Sequence, residues 1–336
     1  MSAAAKIRIG IVGVSGYGGS ELLRLCIGHP GFEVVYASGE STAGQTLKQR
    51  FPALAGHAVG DLVIQAFVPE QLDGVDLLFA SLPTGKSAAL LARVPAGIKI
   101  VDVGGDHRYA PGWVYGLTEL PGQREQIANT SRLANPGCYP AASLLALAPL
   151  VKAGLVEAEG IVIDAKSGVT GTGRGGASDF GYAETNEDLF AYGLAGHTHV
   201  PEIKRTLSDL AGRPASLAFT PHLVPMTRGI LATCYARPRG NVDGQQLYAA
   251  AQRAYGNEPF VKIVAAEKGR GPHTKWASGS NLIFLSYAVN PDAGLVVAVA
   301  AIDNLGKGAA GQAVQNANLM TGQPETAGLQ GLPLWP

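Results

Sequence analysis

The sequence predicts an α/β protein in which a doubly wound parallel sheet is followed by a second sheet. Apolar runs alternate with helical patterns from Ile7 to Val151, which is typical of parallel strands with helices on both faces. The pattern then changes to longer strand-like runs, which favours a second sheet. These runs cover residues 161–166, 229–236, 282–288 and 295–300, with a helix over 245–255.

Composition excludes several classes of function. The chain has 336 residues, which is enough for two domains with their own cores. It is 46% hydrophobic and 15% charged, and its 26 basic residues balance its 26 acidic ones. This balance gives no electrostatic case for binding nucleic acid or an anionic membrane, and no apolar run approaches the roughly 20 residues of a membrane span. We therefore expect neither partner.

The N-terminus and the cysteines indicate a cytoplasmic location. Residues 1–6 run straight into a strand, so we expect no signal peptide. Three cysteines without paired spacing argue for a reducing compartment and against both disulfides and zinc.

The first chemical signal is a glycine-rich turn between a strand and a helix. The strand covers 7–12, the turn covers 13–19, and the helix is predicted to open at Ser20. Small residues there let the backbone approach a pyrophosphate, which would rest on the helix N-terminus. The expected cofactor contacts in the turn are Gly13, Ser15, Gly16, Tyr17, Gly18 and Gly19.

The next strand end bears on the choice of nicotinamide cofactor. The strand over 32–37 ends at Ser38, with Glu40 and Ser41 shortly after. An acid at the strand end would favour NAD, so Ser38 favours NADP, although no Arg stands there for a 2′-phosphate. The alternation continues through strands at 76–83 and 98–103 and a helix at 84–93. Ser38, Ser41 and Pro83 are the further expected cofactor contacts of this part of the chain. NADP is the expected cofactor, and NAD is not excluded.

Cys138 is the candidate nucleophile. It follows a short apolar strand and the tight turn Asn135-Pro136-Gly137, and it precedes a helical run over 141–151. Free N–H groups and the positive end of a helix dipole favour a thiolate at such a position. The alternative is a small buried hydrophobe, which suits Cys26 and Cys234 better.

A histidine pair forms the second cluster. His197 and His199 precede Pro201-Glu202. Two His at i, i+2 could bind zinc, but no third ligand with metal-site spacing accompanies them. They could instead supply the base for Cys138, with Glu202 orienting the ring; the sequence does not separate the two rings.

Two loops are candidate anion contacts. The loop over 167–176 combines hydroxyls and glycines with Arg174, so it could cradle an anion or serve as a connector. The loop over 104–108 ends in Arg108 and could contact a phosphate or carboxylate, or be only an ion-paired loop.

Several motifs together resemble the N-acetyl-γ-glutamyl-phosphate reductase family of arginine biosynthesis. They run in order from near residue 7 to near residue 325. The motifs cover residues 13–19, 115–120, 134–140, 167–174, 197–203, 219–230 and 302–313.

This resemblance implies a fold, a domain division and a reaction. It implies a Rossmann-type doubly wound domain at 1–137 plus 304–336. An α/β catalytic domain with a mostly antiparallel sheet would cover 138–303 and carry oligomerisation, giving a homodimer or homotetramer. It implies reduction of a small acyl phosphate through a Cys138 thioacyl intermediate, without a metal. The contacts it implies are Ser167, Gly168 and Asn304 for the cofactor, and Arg108, Asn135, Arg174 and Arg228 for the substrate.

The sequence also departs from the family pattern. Ala141 stands where the signature usually has Thr, residues 102–108 replace the usual Asp-Leu-Ser-Ala-Asp-Phe-Arg, and Gly39 and Gln45 stand where basic residues are frequent. The last departure bears on the NADP preference. Two alternatives stay open: a reductase of a related acyl phosphate, such as a carrier-bound aminoadipyl phosphate or an aspartyl phosphate, and a non-catalytic nucleotide-binding sensor.

Overall fold

The structure is a computed structural model that describes residues 5–175 and 181–334. The chain divides into two compact units. Unit 1 comprises residues 1–136 and 309–330, and unit 2 comprises 137–308 and 331–336. The sequence analysis grouped 304–308 and the tail after 330 with the nucleotide-binding part, whereas they cluster with unit 2.

The strands and helices are as follows. The strands are β1 (Ile7–Val12), β2 (Phe32–Ser38), β3 (Leu77–Ala80), β4 (Lys99–Asp102), β5 (Val114–Tyr115), β6 (Arg132–Ala134), β7 (Ile161–Gly168), β8 (Phe190–Ala191), β9 (Leu217–Val224), β10 (Ile230–Ala236), β11 (Val261–Ile263), β12 (Ile283–Asn290) and β13 (Leu295–Ile302). The helices are α1 (Tyr17–Ile27), α2 (Leu47–Arg50), α3 (Ser87–Leu91), α4 (Gln123–Ala128), α5 (Cys138–Lys152), α6 (Tyr182–Thr185), α7 (Val200–Ala211), α8 (Gly244–Tyr255) and α9 (Gly311–Met320).

Unit 1 is built on a parallel sheet. In its described residues the strand order is β2-β1-β3-β4-β6-β5, and every neighbouring pair is parallel. The central strands β3 and β4 are almost wholly buried, as expected where helices cover both faces. Helix α9 returns from the end of the chain and packs against α1 and α4. Because the strands are parallel, the carboxyl ends of β1, β3 and β4 lie at the same edge of the sheet, and folds of this kind bind ligands at that edge.

Unit 2 is built on a mixed sheet. Among its described residues the strand order is β11-β12-β13-β10-β7-β9-β8. The pairs β12–β13, β13–β10, β10–β7 and β9–β8 are antiparallel, and β11–β12 and β7–β9 are parallel. The predicted fold class, a Rossmann-type sheet in one domain and a mostly antiparallel sheet in the other, is confirmed.

One face of the unit 2 sheet is covered by helices. Helix α5 packs against β10 and β13, and α8 packs against β11 and β12. Helix α5 is buried along nearly its whole length, which explains its run of Ala and Leu. The alternate side chains of these strands point to the other face and are half-exposed, for example Asp164, Lys166 and Tyr235.

Several elements differ from the sequence-based expectation. Helix α1 begins at Tyr17 rather than Ser20, because Gly16 is already the N-cap and the helix starts inside the glycine-rich turn. Helix α3 is shorter than the predicted 84–93. Strand β9 was not predicted as a strand, since Pro221 lies in its middle and proline disfavours a central strand position. No helix of the described residues is both long and apolar enough to cross a bilayer.

Candidate active site

Cys138 is the first residue of the 15-residue helix α5. Its N-cap Gly137 has extended backbone (φ −69°, ψ 156°), and the N–H of Ala141 makes the first helical bond to the Gly137 carbonyl at 2.9 Å. The N–H groups of Cys138 and Tyr139 precede that bond, and Pro140 has none. The thiol is half-buried, whereas Cys26 and Cys234 are fully buried. Burial raises the pKa of the Cys234 thiol to about 12 and that of Cys26 still further, so both are unreactive as nucleophiles.

Glu202 lies in the first turn of α7 and is 2% exposed. Its Oε1 accepts a hydrogen bond from the backbone N–H of Gly137 at 2.9 Å. Sequence analysis assigned Glu202 to orienting a histidine and did not foresee this contact. The carboxylate thus holds the residue immediately before Cys138.

The histidine pair lies at the start of α7, where His199 is the N-cap. The backbone N–H of His199 donates to Nδ1 of His197 at 3.1 Å. Because Nδ1 accepts a bond, the proton of neutral His197 resides on Nε2, which is therefore a donor. Burial lowers the pKa of His197 below 6.5, which favours this neutral form. The two rings lie 4.8 Å apart between centroids at 60°.

An aromatic cluster surrounds the two imidazoles. The ring of Tyr139 lies edge-on to His197 (5.9 Å) and His199 (6.0 Å). Tyr192 and Phe219 also contact His197, at 5.7 and 5.2 Å between centroids. The hydroxyl of Tyr192 donates to that of Tyr139 at 3.3 Å, and burial raises the pKa of Tyr192 to about 12. Sequence analysis missed these residues, although Tyr139 was visible as the residue after Cys138.

Asn304 is buried at the end of β13 and uses its amide within unit 2. Its Oδ1 accepts from the N–H of Gly229 at 2.7 Å, and its Nδ2 donates to Thr170 Oγ1 at 2.9 Å. Ser167 is likewise buried and donates to the Gly168 carbonyl at 3.0 Å. These bonds join the ends of β7 and β13, so each predicted cofactor contact also has a structural role.

The predicted substrate arginines of unit 2 differ in setting. Arg174 is exposed, and the loop that carries it was predicted to extend to Gly176, which lies outside the described residues. Arg228 is half-buried, and its Nε donates to both carboxylate oxygens of Asp303, at 2.9 and 3.2 Å. Asp303 was missed by sequence analysis, although it directly precedes the predicted contact Asn304.

The glycine-rich turn of unit 1 fits a dinucleotide. Gly13 has φ +77°, and an added Cβ would lie 2.2 Å from the Ser81 carbonyl oxygen. A Cβ on Gly19 would lie 2.0 Å from the Gly13 carbonyl oxygen, and one on Gly18 would lie 2.8 Å from Ser81 Oγ. A Cβ on Gly16, in contrast, would clear its nearest neighbour by 3.4 Å. Gly13 and Gly19 are therefore needed because backbone atoms approach them closely, and Gly16 is left for close approach of a ligand.

The other predicted cofactor contacts of unit 1 lie around this turn. The Ser38 carbonyl accepts from the N–H groups of Gly13 and Val14, both at 2.9 Å, and the Ser38 side chain is fully buried. The backbone carbonyl of Ser38 therefore holds the start of the glycine-rich turn. Ser15 approaches the next strand end, since a Cβ on Gly39 would lie 3.0 Å from its Oγ. Ser41 and Pro83 are exposed.

Arg108 and Asn135 meet in unit 1. The Nε of Arg108 donates to the Asn135 carbonyl at 3.2 Å. The Asn135 side chain is fully buried, donating to the Ala309 carbonyl and accepting from Asn316, both at 3.0 Å. Its amide therefore holds the end of β6 to the chain around α9.

The loop before Arg108 is rigidly bonded. Buried Asp102 accepts from His107 Nδ1 (2.6 Å), Ser87 Oγ and the N–H of Gly104 (both 2.9 Å). Burial opposes ionisation of Asp106, but bonds from the N–H groups of Gly85, Ala88 and Ser87 outweigh it and lower the pKa of Asp106. Across the described residues, no three His, Cys, Asp or Glu side chains are grouped so that they could hold a metal ion.

Two family models match the chain, one after the other. Residues 8–130 match the family model described as semialdehyde dehydrogenase, NAD binding domain, and residues 138–304 match semialdehyde dehydrogenase, dimerisation domain. In fold, the chain is similar to an aspartate semialdehyde dehydrogenase II from Vibrio cholerae complexed with ASA, with a TM-score of 0.73 and 17% identity over 95% of this chain and 99% of that one. An aspartate semialdehyde dehydrogenase with NADP from Candida albicans gives a TM-score of 0.72 at 14% identity, over 94% and 98% of the two chains. The chain is therefore an oxidoreductase of the semialdehyde dehydrogenase type with a nicotinamide-binding domain.

Curated relatives are similar over their whole length. The chain is 58% identical to an N-acetyl-gamma-glutamyl-phosphate reductase of Bradyrhizobium sp. (strain ORS 278), covering 98% of this chain and 100% of the relative. Relatives of the same name from Methylobacterium sp. (strain 4-46) and Salinispora arenicola are 56% and 48% identical, over 98% and 96% of this chain and 100% and 97% of theirs. With this identity maintained from end to end, the chain belongs to the N-acetyl-gamma-glutamyl-phosphate reductase family.

Proposed function

We propose that this chain reduces N-acetyl-γ-glutamyl phosphate to N-acetylglutamate 5-semialdehyde and phosphate, with NADPH, through a thioacyl intermediate on Cys138. The observation that carries the proposal is the position of Cys138 as the half-buried first residue of α5, held by the Glu202–Gly137 bond. The names of the curated relatives support the substrate and its place in arginine biosynthesis.

The first half-reaction needs a nucleophile and an oxyanion site. Sγ of Cys138 attacks the acyl carbonyl carbon, the bond from carbon to the phosphate oxygen breaks, and phosphate leaves. The N-terminus of α5, which begins at Cys138, is the proposed site for stabilising the developing oxyanion. The positive end of the α5 dipole stabilises both the thiolate and this charge.

The two histidines have different roles in this proposal. His197 donates through Nε2, because its Nδ1 is occupied by the His199 N–H. It therefore stabilises an oxygen of the substrate rather than accepting the thiol proton. His199 is left as the base that accepts the thiol proton and gives it to the oxygen of the hemithioacetal after the thioester is reduced. When the hemithioacetal collapses, His199 takes that proton back, the C–S bond breaks, and the semialdehyde leaves. The proton then returns to Sγ, which regenerates the Cys138 thiol.

The nicotinamide cofactor, when bound, supplies the hydride that reduces the thioester. The Gly13–Gly19 turn would hold its pyrophosphate at the N-terminus of α1, with Gly16 allowing close approach. NADP is proposed over NAD because β2 ends in Ser38 and the exposed Ser41 follows, although exposed Glu40 lies beside it. Ser15, Tyr17 and Pro83 complete the contacts of unit 1, and Ser167, Gly168 and Asn304 those of unit 2.

Arginines are proposed to hold the two anionic ends of the substrate. Arg108, Arg174 and Arg228 offer guanidinium forks suited to phosphate and carboxylate. Asn135 contributes through its carbonyl, which fixes Nε of Arg108. No residue in this scheme requires a metal.

The chain is further proposed to form a homodimer, or a homotetramer built from dimers, in the cytoplasm. The face of the unit 2 sheet opposite α5 and α8 exposes 41% of Val162 on β7, with half-exposed Tyr235 and Val297 on β10 and β13. A second copy would cover this face, and light scattering at several concentrations tests the assembly. Three free cysteines support a reducing compartment.

The test follows NADP⁺ reduction with N-acetylglutamate semialdehyde and phosphate. The Cys138→Ala variant should lose turnover by more than about 1,000-fold, since no thioester can form. Cys26→Ala, at a buried thiol, is the matched control and should retain activity. Turnover only with a carrier-bound aminoadipate semialdehyde would show that the substrate is instead the carrier-bound aminoadipyl phosphate of lysine synthesis. Full activity of Cys138→Ala would refute the mechanism.

A further inference from the structure

We infer that Asp303 is a positioning residue that sets Arg228 and the backbone behind Cys138 with one carboxylate. The inference rests on the proposed function in treating Arg228 as a contact for a substrate anion. It adds a residue that touches neither substrate nor cofactor but determines the geometry of two groups that do.

Asp303 is completely buried at the carboxyl end of β13. Its Oδ2 accepts from Nε of Arg228 at 2.9 Å and from the N–H of Gly279 at 2.5 Å. Its Oδ1 accepts from the N–H groups of Leu305 and Gly306, at 2.8 and 3.0 Å, and at the longer distance of 3.2 Å also from Nε of Arg228. A buried carboxylate persists only when it is paired and hydrogen-bonded, and this one has both kinds of partner.

The Oδ2 side of the carboxylate fixes Arg228. The guanidinium is planar, so a bond at Nε orients the whole fork. The side chain of Arg228 is 22% exposed. The backbone of the next residue, Gly229, is held separately by Asn304 at 2.7 Å. Asp303 and Asn304 therefore fix the side chain and the backbone of one short segment.

The Oδ1 side fixes the turn behind the nucleophile. Residues Gly306–Ala310 form a single π-helical turn, and the N–H of its first residue, Gly306, donates to the Asp303 carboxylate. The N–H of Gly308 donates to the Asp303 carbonyl at 2.9 Å. An added Cβ on Gly308 would lie 2.9 Å from Cβ of Cys138, so this turn packs directly on the nucleophile. One residue thus relates an anion-binding fork to Cys138.

A purely structural ion pair is the alternative, and unit 2 offers one for comparison. Glu157 pairs with Arg213 and, at 3.3 Å, with Nε of Arg239. Its side chain is 34% exposed, and its ion-pair partners among the described residues, Arg213 and Arg239, are not part of the candidate site. Glu157→Gln is therefore a matched control, because it removes the same charge from an arginine pair elsewhere in the same unit.

The experiment compares Asp303→Asn with Glu157→Gln in the full-length chain. The asparagine keeps an acceptor for Leu305 and Gly306 but turns a donor towards Arg228 or the backbone. We expect KM for inorganic phosphate or for N-acetylglutamate semialdehyde to rise by about 10- to 100-fold, the range of one charge-assisted bond. We also expect a changed rate of Cys138 alkylation by iodoacetamide. Glu157→Gln should leave both unchanged.

A double variant separates positioning from bulk stability. If Asp303 acts through Arg228, then Arg228→Met and Arg228→Met/Asp303→Asn should have the same KM values. The double variant should also be more thermostable than Arg228→Met, which leaves a buried carboxylate unpaired. The same pair decides the question if Asp303→Asn alone does not fold. A further tenfold rise of KM in the double variant would overturn the inference, as would unchanged KM values in Asp303→Asn with only a lower Tm.

Phosphate binding, measured without turnover, tests the role of Asp303 separately from the proposed reaction. If the wild-type chain turns over none of the proposed substrates, the proposed function fails on its own. Stabilisation by inorganic phosphate in thermal unfolding then still reports on the Arg228 fork. A smaller phosphate-dependent rise in Tm for Asp303→Asn than for the wild type supports the inference. An equal rise, or none in the wild type, overturns it.

Discussion

The carboxylate of Glu202 accepts a hydrogen bond from the N–H of Gly137 at 2.9 Å, one residue before Cys138. Glu202 lies in the first turn of α7, whose N-cap is His199. This buried hydrogen bond therefore joins the start of α5, which carries Cys138, to the start of α7, which follows His197 and His199.

Removing the Glu202 acceptor is expected to reduce both stability and activity. In Glu202→Ala the N–H of Gly137 loses this acceptor inside the protein, which costs about 1–3 kcal/mol. Glu202→Gln retains an acceptor and should recover most of that stability. Chemical denaturation and kcat measure the two effects. Equal stability of the alanine and glutamine variants would show that this hydrogen bond does not matter for folding.

His197 and His199 are expected to respond differently to substitution. His199→Asn removes the proposed base and should lower kcat/KM by about 10²- to 10⁴-fold. His197→Gln keeps an N–H donor at the end of the side chain and should be milder. Because burial lowers the pKa of His197, its neutral form persists as the pH falls below 6.5, so it should not limit activity near neutrality.

The pH dependence of kcat/KM checks this assignment. The wild type and His197→Gln should share the same profile above about pH 6.5, the usual pKa of histidine. The profile of His199→Asn should lie well below that of the wild type throughout this range. A larger loss in His197→Gln than in His199→Asn would reverse the two roles.

Alanine substitutions at two glycines of the unit 1 turn are expected to have different effects, one on cofactor binding and the other on folding. Gly16→Ala has ordinary backbone (φ −73°) and room for its methyl group, so it should fold normally while KM for NADPH rises by about tenfold or more. Gly13→Ala combines φ +77° with a 2.2 Å clash and should destabilise the fold itself. Gly44→Ala (φ +89°, no neighbour within 4 Å) is the control for backbone strain alone. Normal NADPH binding by Gly16→Ala would contradict the proposed pyrophosphate contact.

Local patterns made most of the fold predictable. The first strand, the glycine-rich turn and the helix that begins with Cys138 each carry their own signal in apolar runs, glycines and proline. Strand β9 escaped because Pro221 argues against a central strand, and the paired strands β7 and β8 override that preference. Tertiary pairing of this kind has no local signature.

The candidate site was only partly predictable, because its support comes from distant residues. Cys138, His197 and His199 were identifiable from their chemistry and spacing. The contacts of Glu202 with Gly137 and of Asp303 with Arg228 join residues 65 and 75 positions apart. Carboxylates at such separations become recognisable as supports only once the fold brings their partners to them.

The last prediction concerns the acid stability of unit 1. His29 is 2% exposed between the end of α1 and the chain after α9. Its Nδ1 accepts from the N–H of Gly31 at 3.0 Å, so Nε2 carries the proton and donates to Asn318 Oδ1 at 2.9 Å. Protonation would break the bond to Gly31. Burial accordingly lowers the pKa of His29 below 6.5.

Because the unfolded chain protonates His29 at a higher pH than the folded chain does, the unfolded state binds more protons just below pH 6.5. The free energy of unfolding should therefore be fully retained above pH 6.5 and decrease as the pH falls, by at most about 1.4 kcal/mol per pH unit from this residue. Urea unfolding between pH 7.5 and 5 measures the slope. His29→Gln should be less stable at pH 7.5 but show a shallower slope, whereas His57→Gln, at an exposed histidine, should keep the wild-type slope. An unchanged slope in His29→Gln would mean that His29 does not govern acid stability.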